Sequence, residues 1–547
     1  MRNIFFLILL LFSSSFVCAQ FKSIAEDPIF DEPQEGFAKI LQIKNGNTIF
    51  IHITPKKEIN VQVYDASHKK KAERSFLANY EKDNINVEGS FEINGDAVLM
   101  VRTVDHRVPR LYRLIINGST GVLKNEKKIV ELDKITMGQG YAAAFGGVPA
   151  PNFYIKKDPN SDNYALAIFN SFVSDRNKRI EIIFYGSDHS ELSRAFYNSP
   201  DNKYKYMNYA DMTVLGNEKV CVLAYGYNTA TSGGKESALL LANLNKGSQS
   251  VIINELDFAK NLIAKERLPW FFNLASESLT YGITRYNPVT QKIILLTSAK
   301  EKKEKGFTSY LVFVNPVDLT VDYSGIIYPQ QSNEKSIEIF GEKSEYTGMP
   351  QNLFINNDGS FSVVYEDISN TMRQSTMSRA TSVTSNLGNI AVSQFDPKGT
   401  EKKSYFIPKD QVIWNTTLQP YYHSDREGGA QLLIKGNQFK SFAYLNGLQK
   451  SYILFNDVEA NTESVNKGKI TTIQGVSDCD GFYYDISGSD VLPKRNFVFG
   501  KPDRKRDHNL GLFAISDYDR NNNVYVTLKL IKEGRSKGVC LVWLQPQ

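Results

Sequence analysis

Apolar residues recur along the chain in short runs rich in Val, Ile, Phe and Tyr, each bounded by Asn, Asp, Gly or Pro. That pattern has the two-residue period and turn punctuation of strands, not the 3.6-residue period of helices. Turn signals form a series at Asn45-Gly46-Asn47, Asn94-Gly95-Asp96, residues 158–162, Gly216-Asn217, Asn287-Pro288, residues 356–359, Gly436-Asn437 and residues 517–523. Each precedes an apolar run that reads as the second strand of a unit: 48–53, 97–101, 164–169, 220–224, 292–296, 361–365, 439–445 and 524–530. A third strand follows at 61–64, 111–116, 180–185, 238–242, 310–314, 390–395, 452–455 and 539–544, closing on its own turn. A less regular fourth strand follows most of these, as at 128–132, 251–256 and 403–407.

Four strands per unit, repeating every 50 to 80 residues or roughly so, predict an all-β repeat fold, a β-propeller of eight four-stranded blades in a single domain over residues 20–547. The apolar pattern ends on the third strand of the eighth unit, while residues 21–30 precede the first unit. A strand from that N-terminal segment is therefore expected to complete the last blade and remove its exposed edge. Seven blades, or β-sandwiches in tandem, fit the same strand spacing, but sandwiches require no four-strand phasing. The irregular units with Asn/Asp turns resemble exported bacterial propellers of uncharacterised families. The resemblance lies in the pattern over nearly the whole chain. The Trp-Asp ends of WD40 blades and the diglycine of kelch blades are absent, so it implies no functional residues.

Residues 1–19 read as a signal peptide: basic Arg2, an apolar run over 4–16, and small residues before a cleavage site after Ala19. The run is short of the roughly 20 residues that cross a bilayer. The mature chain is expected to start at Gln20, to be exported to the periplasm, cell envelope or extracellular space, and to carry no transmembrane segment.

Composition adds two constraints. With 41% hydrophobic residues, 29 Tyr and 33 Phe, the chain has ample material for a large ordered core. Loss of Arg2 lowers the net charge from +5 to +4, too slight a surplus to suggest a nucleic-acid partner. Cleavage also leaves three cysteines, Cys221, Cys479 and Cys540; Cys221 and Cys540 read as small buried hydrophobes, and a Cys479–Cys540 bridge is conceivable.

Candidate chemistry is sparse. Residues 517–523, Asp-Tyr-Asp-Arg-Asn-Asn-Asn, begin like a calcium loop, but Asn522 stands at the glycine position and Leu528 at the final acidic one, so a turn is expected. The Asp158, Asn160 and Asp162 set, and Asp478, Asp480 and Asp485, also lack a full ligand count. No histidine stands at metal spacing with another, and no Ser/His/Asp set is recognisable, so catalytic residues remain unassigned and no metal or cofactor is expected. Residues 137–147, rich in Gly, lack the Lys-Ser/Thr of a phosphate loop and read as an inter-blade loop. The Lys/Glu run over 300–305 reads as solvated, 369–385 as a flexible excursion, and 256–267 as a short amphipathic helix.

In a propeller the connections from fourth to first strands and from second to third strands share one face, so distant residues converge there. These connections are long and aromatic, and the candidate ligand-binding residues are Tyr141, Phe145, Trp270, Phe271, Trp414, Tyr421, Tyr422 and His423. Tyr204, Tyr206, Tyr209 and Phe272 accompany them, with Arg373, Arg379 and Arg426 as possible polar contacts. Exposed aromatics around a concavity stack on sugar rings or anchor a peptide. The expectation is a monomeric, non-catalytic binding or scaffold module for a protein or glycan partner, with an enzyme acting on a glycan or peptide as the alternative.

Overall fold

A computed structural model of the chain describes residues 21–80, 84–228, 237–256, 281–300, 307–374 and 381–547. Eight antiparallel sheets succeed one another along the sequence, each built around a four-stranded meander, and together they form an eight-bladed β-propeller. The inner strands are Gly36–Gln42, Asn86–Ile93, Asn152–Lys157, Tyr206–Leu215, Tyr281–Asn287, Met349–Ile355, Phe442–Asn446 and, in the last blade, the pair His508–Gly511 and Asp517–Asp519.

Position within a blade explains the sequence pattern. A second strand such as Tyr164–Phe169 is covered on both faces by neighbouring blades, so all six of its residues are buried. Fourth strands such as Lys70–Leu77 and Leu123–Glu131 lie at the rim and are largely exposed, which is why they read as irregular. The core consists of layers between blades. Ala165, Ala167 and Phe169 of blade 3, for example, pack with Met212, Val222 and Leu240 of blade 4.

Closure follows the expected route. Lys22–Glu26 pairs antiparallel with Ser536–Gln545 as the outer strand of blade 8, and Phe30 bridges to Val539. The Phe21 ring lies 4.8 Å from that of Tyr483 and 5.0 Å from that of Tyr452, tying this strand to blade 7. On the other side, the fully buried Trp543 indole donates to the Thr48 hydroxyl of blade 1 at 2.9 Å, and the Tyr64 hydroxyl donates to Asp27 at 2.7 Å.

Four sequence expectations need correction. In unit seven, Phe442–Asn446 is the first strand and Ser451–Asp457 the second, with the third, Asp480–Asp485, arriving only after an insertion that carries the helix Asn461–Val465. The Gly436-Asn437 turn belongs to the connection before the blade, where the Asn437 amide donates to the Trp414 carbonyl. Residues 369–374 and 381–385 continue the second and third strands of blade 6 as a paired ladder. The Gly-rich stretch forms the helix Met137–Phe145, started by a capping box in which Thr136 and Gln139 exchange hydrogen bonds; that pair outweighs Gly138 and Gly140. Cys479 and Cys540 are both free and buried, and burial raises the Cys540 thiol to about 12. Residues 517–523 do form a hairpin turn, with the Asp519 carboxylate accepting from the amides of Asn521 and Asn522.

Candidate functional site

The channel at the centre of an eight-bladed ring is wide, and here the chain itself fills it. After the blade 6 strand Gln411–Trp414, the polypeptide forms the helix Tyr422–Gly428, adds the strand Gln431–Leu433 to the inner strand of blade 1, and returns to begin blade 7. The helix packs against the inner strands of blades 2, 3 and 6.

Each end of this crossing is fixed by specific groups. Tyr421, at φ 66°, shares a 2.8 Å hydrogen bond with Ser298 of blade 5. The Tyr422 hydroxyl donates to Glu366 at 2.5 Å, and Glu366 forms an ion pair with Lys409 in which both side chains are essentially inaccessible. At the far end Gly429 passes so close to blade 2 that a Cβ there would lie 2.6 Å from the Val87 carbonyl oxygen. Any side chain at that point would clash.

Polar residues on successive inner strands grip the helix. The Asp211 carboxylate of blade 4 accepts from Lys156 of blade 3 at 2.9 Å, from the Thr284 amide at 2.8 Å and from Arg285 of blade 5 at 3.0 Å. Arg285 donates in turn to Asn352 of blade 6 at 2.8 Å and to Ser424 of the helix at 2.9 Å, and lies 3.4 Å from Glu427. The Asn352 amide donates to Glu427 at 2.6 Å. Bulges between Tyr209 and Asp211 and between Pro350 and Asn352 sit beside two of these residues, where an extra residue re-aims the side chains that follow.

This network separates the proton affinities of its acids. Burial pushes Asp211 up, but Lys156, Arg285 and the Thr284 amide outweigh it and hold the carboxyl below its ordinary value. Asp425 is open to water yet enclosed by the channel walls; burial and the neighbouring Asp211 raise it to about 6, against the opposing pull of Lys156 and Arg285. Burial, with Arg426 and Arg285 nearby, holds His423 well below its ordinary value. It is a neutral ring stacked at 4.8 Å on Phe442.

The crossing divides the channel into two chambers. The upper one, on the face of the fourth-to-first connections, has a volume of about 590 Å³ and is lined by Tyr154, Tyr209, Tyr225, Tyr421, Ser424 and Asp425 among others. Tyr154 and Tyr209 stack in parallel with ring centroids 3.8 Å apart. The lower chamber, at the turns between first and second strands, has a volume of about 700 Å³ and includes Lys157, Arg285, Phe354, Glu427 and Arg520 in its wall.

The aromatic candidates therefore have separate locations. Tyr421 lines the upper chamber, while Tyr422 and His423 are buried within the crossing. Tyr141 and Phe145 lie on the helix joining blades 2 and 3, 70% and 80% exposed, and Trp414 is half-exposed on its own short strand. Trp270 and Phe271 lie outside the described residues, as do Phe272, Arg379, all but Leu256 of the helix expected at 256–267, most of the 300–305 run, and the signal segment. Arg426 donates to the Phe442 carbonyl at 3.0 Å and covers the Tyr422 ring, a packing role. Sequence reasoning missed Tyr154, Lys156, Asp211, Arg285, Asn352 and Asp425. The available signal was a charged or amide residue interrupting an otherwise apolar inner strand, repeated from blade to blade.

No helix among the described residues is long and apolar enough to cross a membrane. Comparison with family models and with curated protein sequences finds no match. Among solved structures, the Dos1 propeller aligns with 97% of this chain and 97% of its own at 8% identity and a TM-score of 0.42. The WD40 domain of SCAP from fission yeast aligns over 95% and 98% at 8% identity and a TM-score of 0.34. A putative exported protein from Bacteroides fragilis aligns over 63% and 82% at 9% identity and a TM-score of 0.29. The assignment of the fold stands on the eight sheets themselves, a β-propeller.

Proposed function

We propose that the protein is an exported, monomeric, non-catalytic binding module that takes the end of a glycan chain into its upper chamber. The observation that carries this reading is the crossing segment. It gives an otherwise open channel a floor, and above that floor lie a parallel tyrosine pair and hydrogen-bonding groups from Ser424 and Asn208. Aromatic faces beside polar groups in a concave site suit sugar rings. The test is a screen of the mature protein against glycans and envelope peptides, followed by Tyr154→Ala and Tyr209→Ala. A folded Tyr154→Ala/Tyr209→Ala variant that keeps wild-type affinity for every hit overturns the chamber assignment. A hit confined to peptides moves the ligand class from glycan to protein.

A second reading, an enzyme acting on a glycan, draws on one observation. Asp425 is raised to about 6 while Asp211 in the same chamber is held low, a split that suits a general acid beside an ionised carboxylate. Against it, both Asp211 oxygens are already engaged by Lys156, Thr284 and Arg285, which leaves no free nucleophile there. Product release from a screened glycan would move the assignment to the enzyme.

Export is proposed from the leader. Intact-mass measurement on protein secreted by a bacterial host should give a chain starting at Gln20; retention of residues 1–19 in the secreted material would refute cleavage.

A further inference from the structure

Charge in the channel network does not balance. Among the described residues Asp211, Asp425, Glu427 and, beside Glu427, Asp517 face three cations, Lys156, Arg285 and Lys39. His423 is neutral, and Arg426 is turned toward Ser441 and the Phe442 carbonyl. Glu88 is matched separately by Arg102 at 2.6 Å. Asp211 and Glu427 are each bonded to the cations or to Asn352, whereas the Asp425 carboxylate has no side-chain partner among the described residues. The missing positive charge therefore belongs beside Asp425.

The surroundings of that carboxylate define what can supply it. Asp425 lies in the wall of the upper chamber, and the phenols of both Tyr154 and Tyr209 feel its charge. A cation placed there meets a carboxylate on one side and aromatic rings on the other, the two groups that hold organic ammonium ions. A bare metal ion would find one available carboxylate, short of the several oxygen ligands it requires. The Lys156 side chain is committed to Asp211 and does not fill the place.

We infer that the upper chamber recognises a sugar carrying a free primary amine, with the ammonium bound by Asp425 and the ring lying against the Tyr154/Tyr209 pair. This deepens the glycan-binding reading and rests on it. The ammonium completes the network without displacing any bond already made, and an acetyl group on the same nitrogen removes the charge the site lacks. Ionisation of Asp425 is required, and the groups facing it are Asp211, Lys156, Arg285, Tyr154 and Tyr209. Because the carboxyl is raised to about 6, affinity falls as pH drops from 7 toward 5.

The experiment is calorimetric titration of the mature protein with β-1,4-linked diglucosamine, its di-N-acetylated counterpart and lysine amide. Diglucosamine is expected to bind at least about tenfold more tightly than the acetylated form, Asp425→Asn to weaken it about tenfold to a hundredfold, and Asp425→Glu to recover part of the loss. Asp425 is exposed on a short helix, so the variants test recognition rather than folding; circular dichroism confirms that. Equal binding of diglucosamine by Asp425→Asn, equal binding of the acetylated sugar, or no binding of diglucosamine overturns the inference. Lysine amide binding as tightly as diglucosamine overturns its sugar component. If the acetylated sugar binds equally and Tyr154→Ala abolishes that binding, the amine inference falls while the chamber assignment stands.

Discussion

The two chambers share a wall and differ in sign. The wall of the upper chamber carries Glu88, Asp211, Asp425 and Lys156, with Arg102 paired to Glu88 and Arg285 reaching Asp211 from below; the lower wall carries Lys156, Lys157, Arg285 and Arg520 with Asp158 and Glu427. The walls differ too: four tyrosines, Tyr154, Tyr209, Tyr225 and Tyr421, line the upper chamber, whereas Tyr286 stands with Phe91, Leu353 and Phe354 in the lower one. Both are lined by the same inner strands, the upper nearer their starts and the lower nearer their ends, so the contrast arises within a few residues of each strand. What separates the two is one helix, held by one arginine network and one close backbone passage. Which side of the crossing a side chain emerges on therefore decides which chamber it lines, with Lys156 lining both.

The contrast depends first on the ring staying closed. Deleting residues 21–30 removes the outer strand of blade 8 together with Phe21 and Phe30, and should destroy both chambers at once. A loss of about 5 kcal/mol or more is expected from the buried Phe21, the partly buried Phe30 and the opened edge. Urea unfolding checks it, and an unchanged midpoint would refute the closure.

The next largest effect falls on the partition itself. Gly429→Val places a side chain against the Val87 carbonyl and should displace the crossing at a cost of about 2–3 kcal/mol, merging the chambers. Thermal unfolding gives the cost. A fully stable variant with wild-type affinity in the upper chamber would show that the passage is not tight.

Arg285→Met tests whether one network serves both sides. It leaves Glu427 with the more distant Lys39 and Asp211 with Lys156 and the Thr284 amide, and should destabilise by about 2 kcal/mol, reduced from the fully buried case because the arginine keeps some contact with water. Ligand affinity in both chambers should change. An effect confined to one would mean that the two are independent.

The smallest expected effect is at Asp425, and its sign is specific. The folded carboxyl is raised to about 6 above an ordinary value of 3.8, so the folded state binds the proton more tightly than the unfolded chain. Ionising it therefore costs stability above pH 6, and that cost fades as pH falls toward 4. Asp425→Asn should raise the unfolding free energy slightly at pH 7.5, by less than about 1 kcal/mol given the water around the group, with a small rise in melting temperature, and the gain should vanish near pH 4. A gain that grows as pH falls would contradict the assignment.

Much of the ring was legible in the chain. The second and third strands, buried on both faces, carry apolar runs that need no partner to be recognised, and the Asn/Asp/Gly turns mark their ends. Unit seven misled because the crossing segment places a turn signal, Gly436-Asn437, ahead of the blade, and because 22 residues separate its second and third strands, which sequence spacing assigns to adjacent units. The helix Met137–Phe145 was hidden by its glycines, although the Thr136/Gln139 capping pair was present. Of the aromatic candidates, Tyr422 and His423 are buried in the crossing, a placement not legible in the sequence because an aromatic ring in a long connection reads the same whether it faces solvent or core.

The sequence by itself determined the eight units, the four-strand phasing of seven of them and the need for an N-terminal strand to complete the eighth, because hydrophobic period and turn chemistry are local properties that the chain carries wherever it folds. Only the tertiary structure decided that the channel is crossed, that Lys156, Asp211, Arg285, Asn352 and Glu427 form one network, and that Asp425 is left facing the chamber. Those residues span more than 250 positions, and their charges interact only over a few ångströms. Closure of the ring brings them within that range.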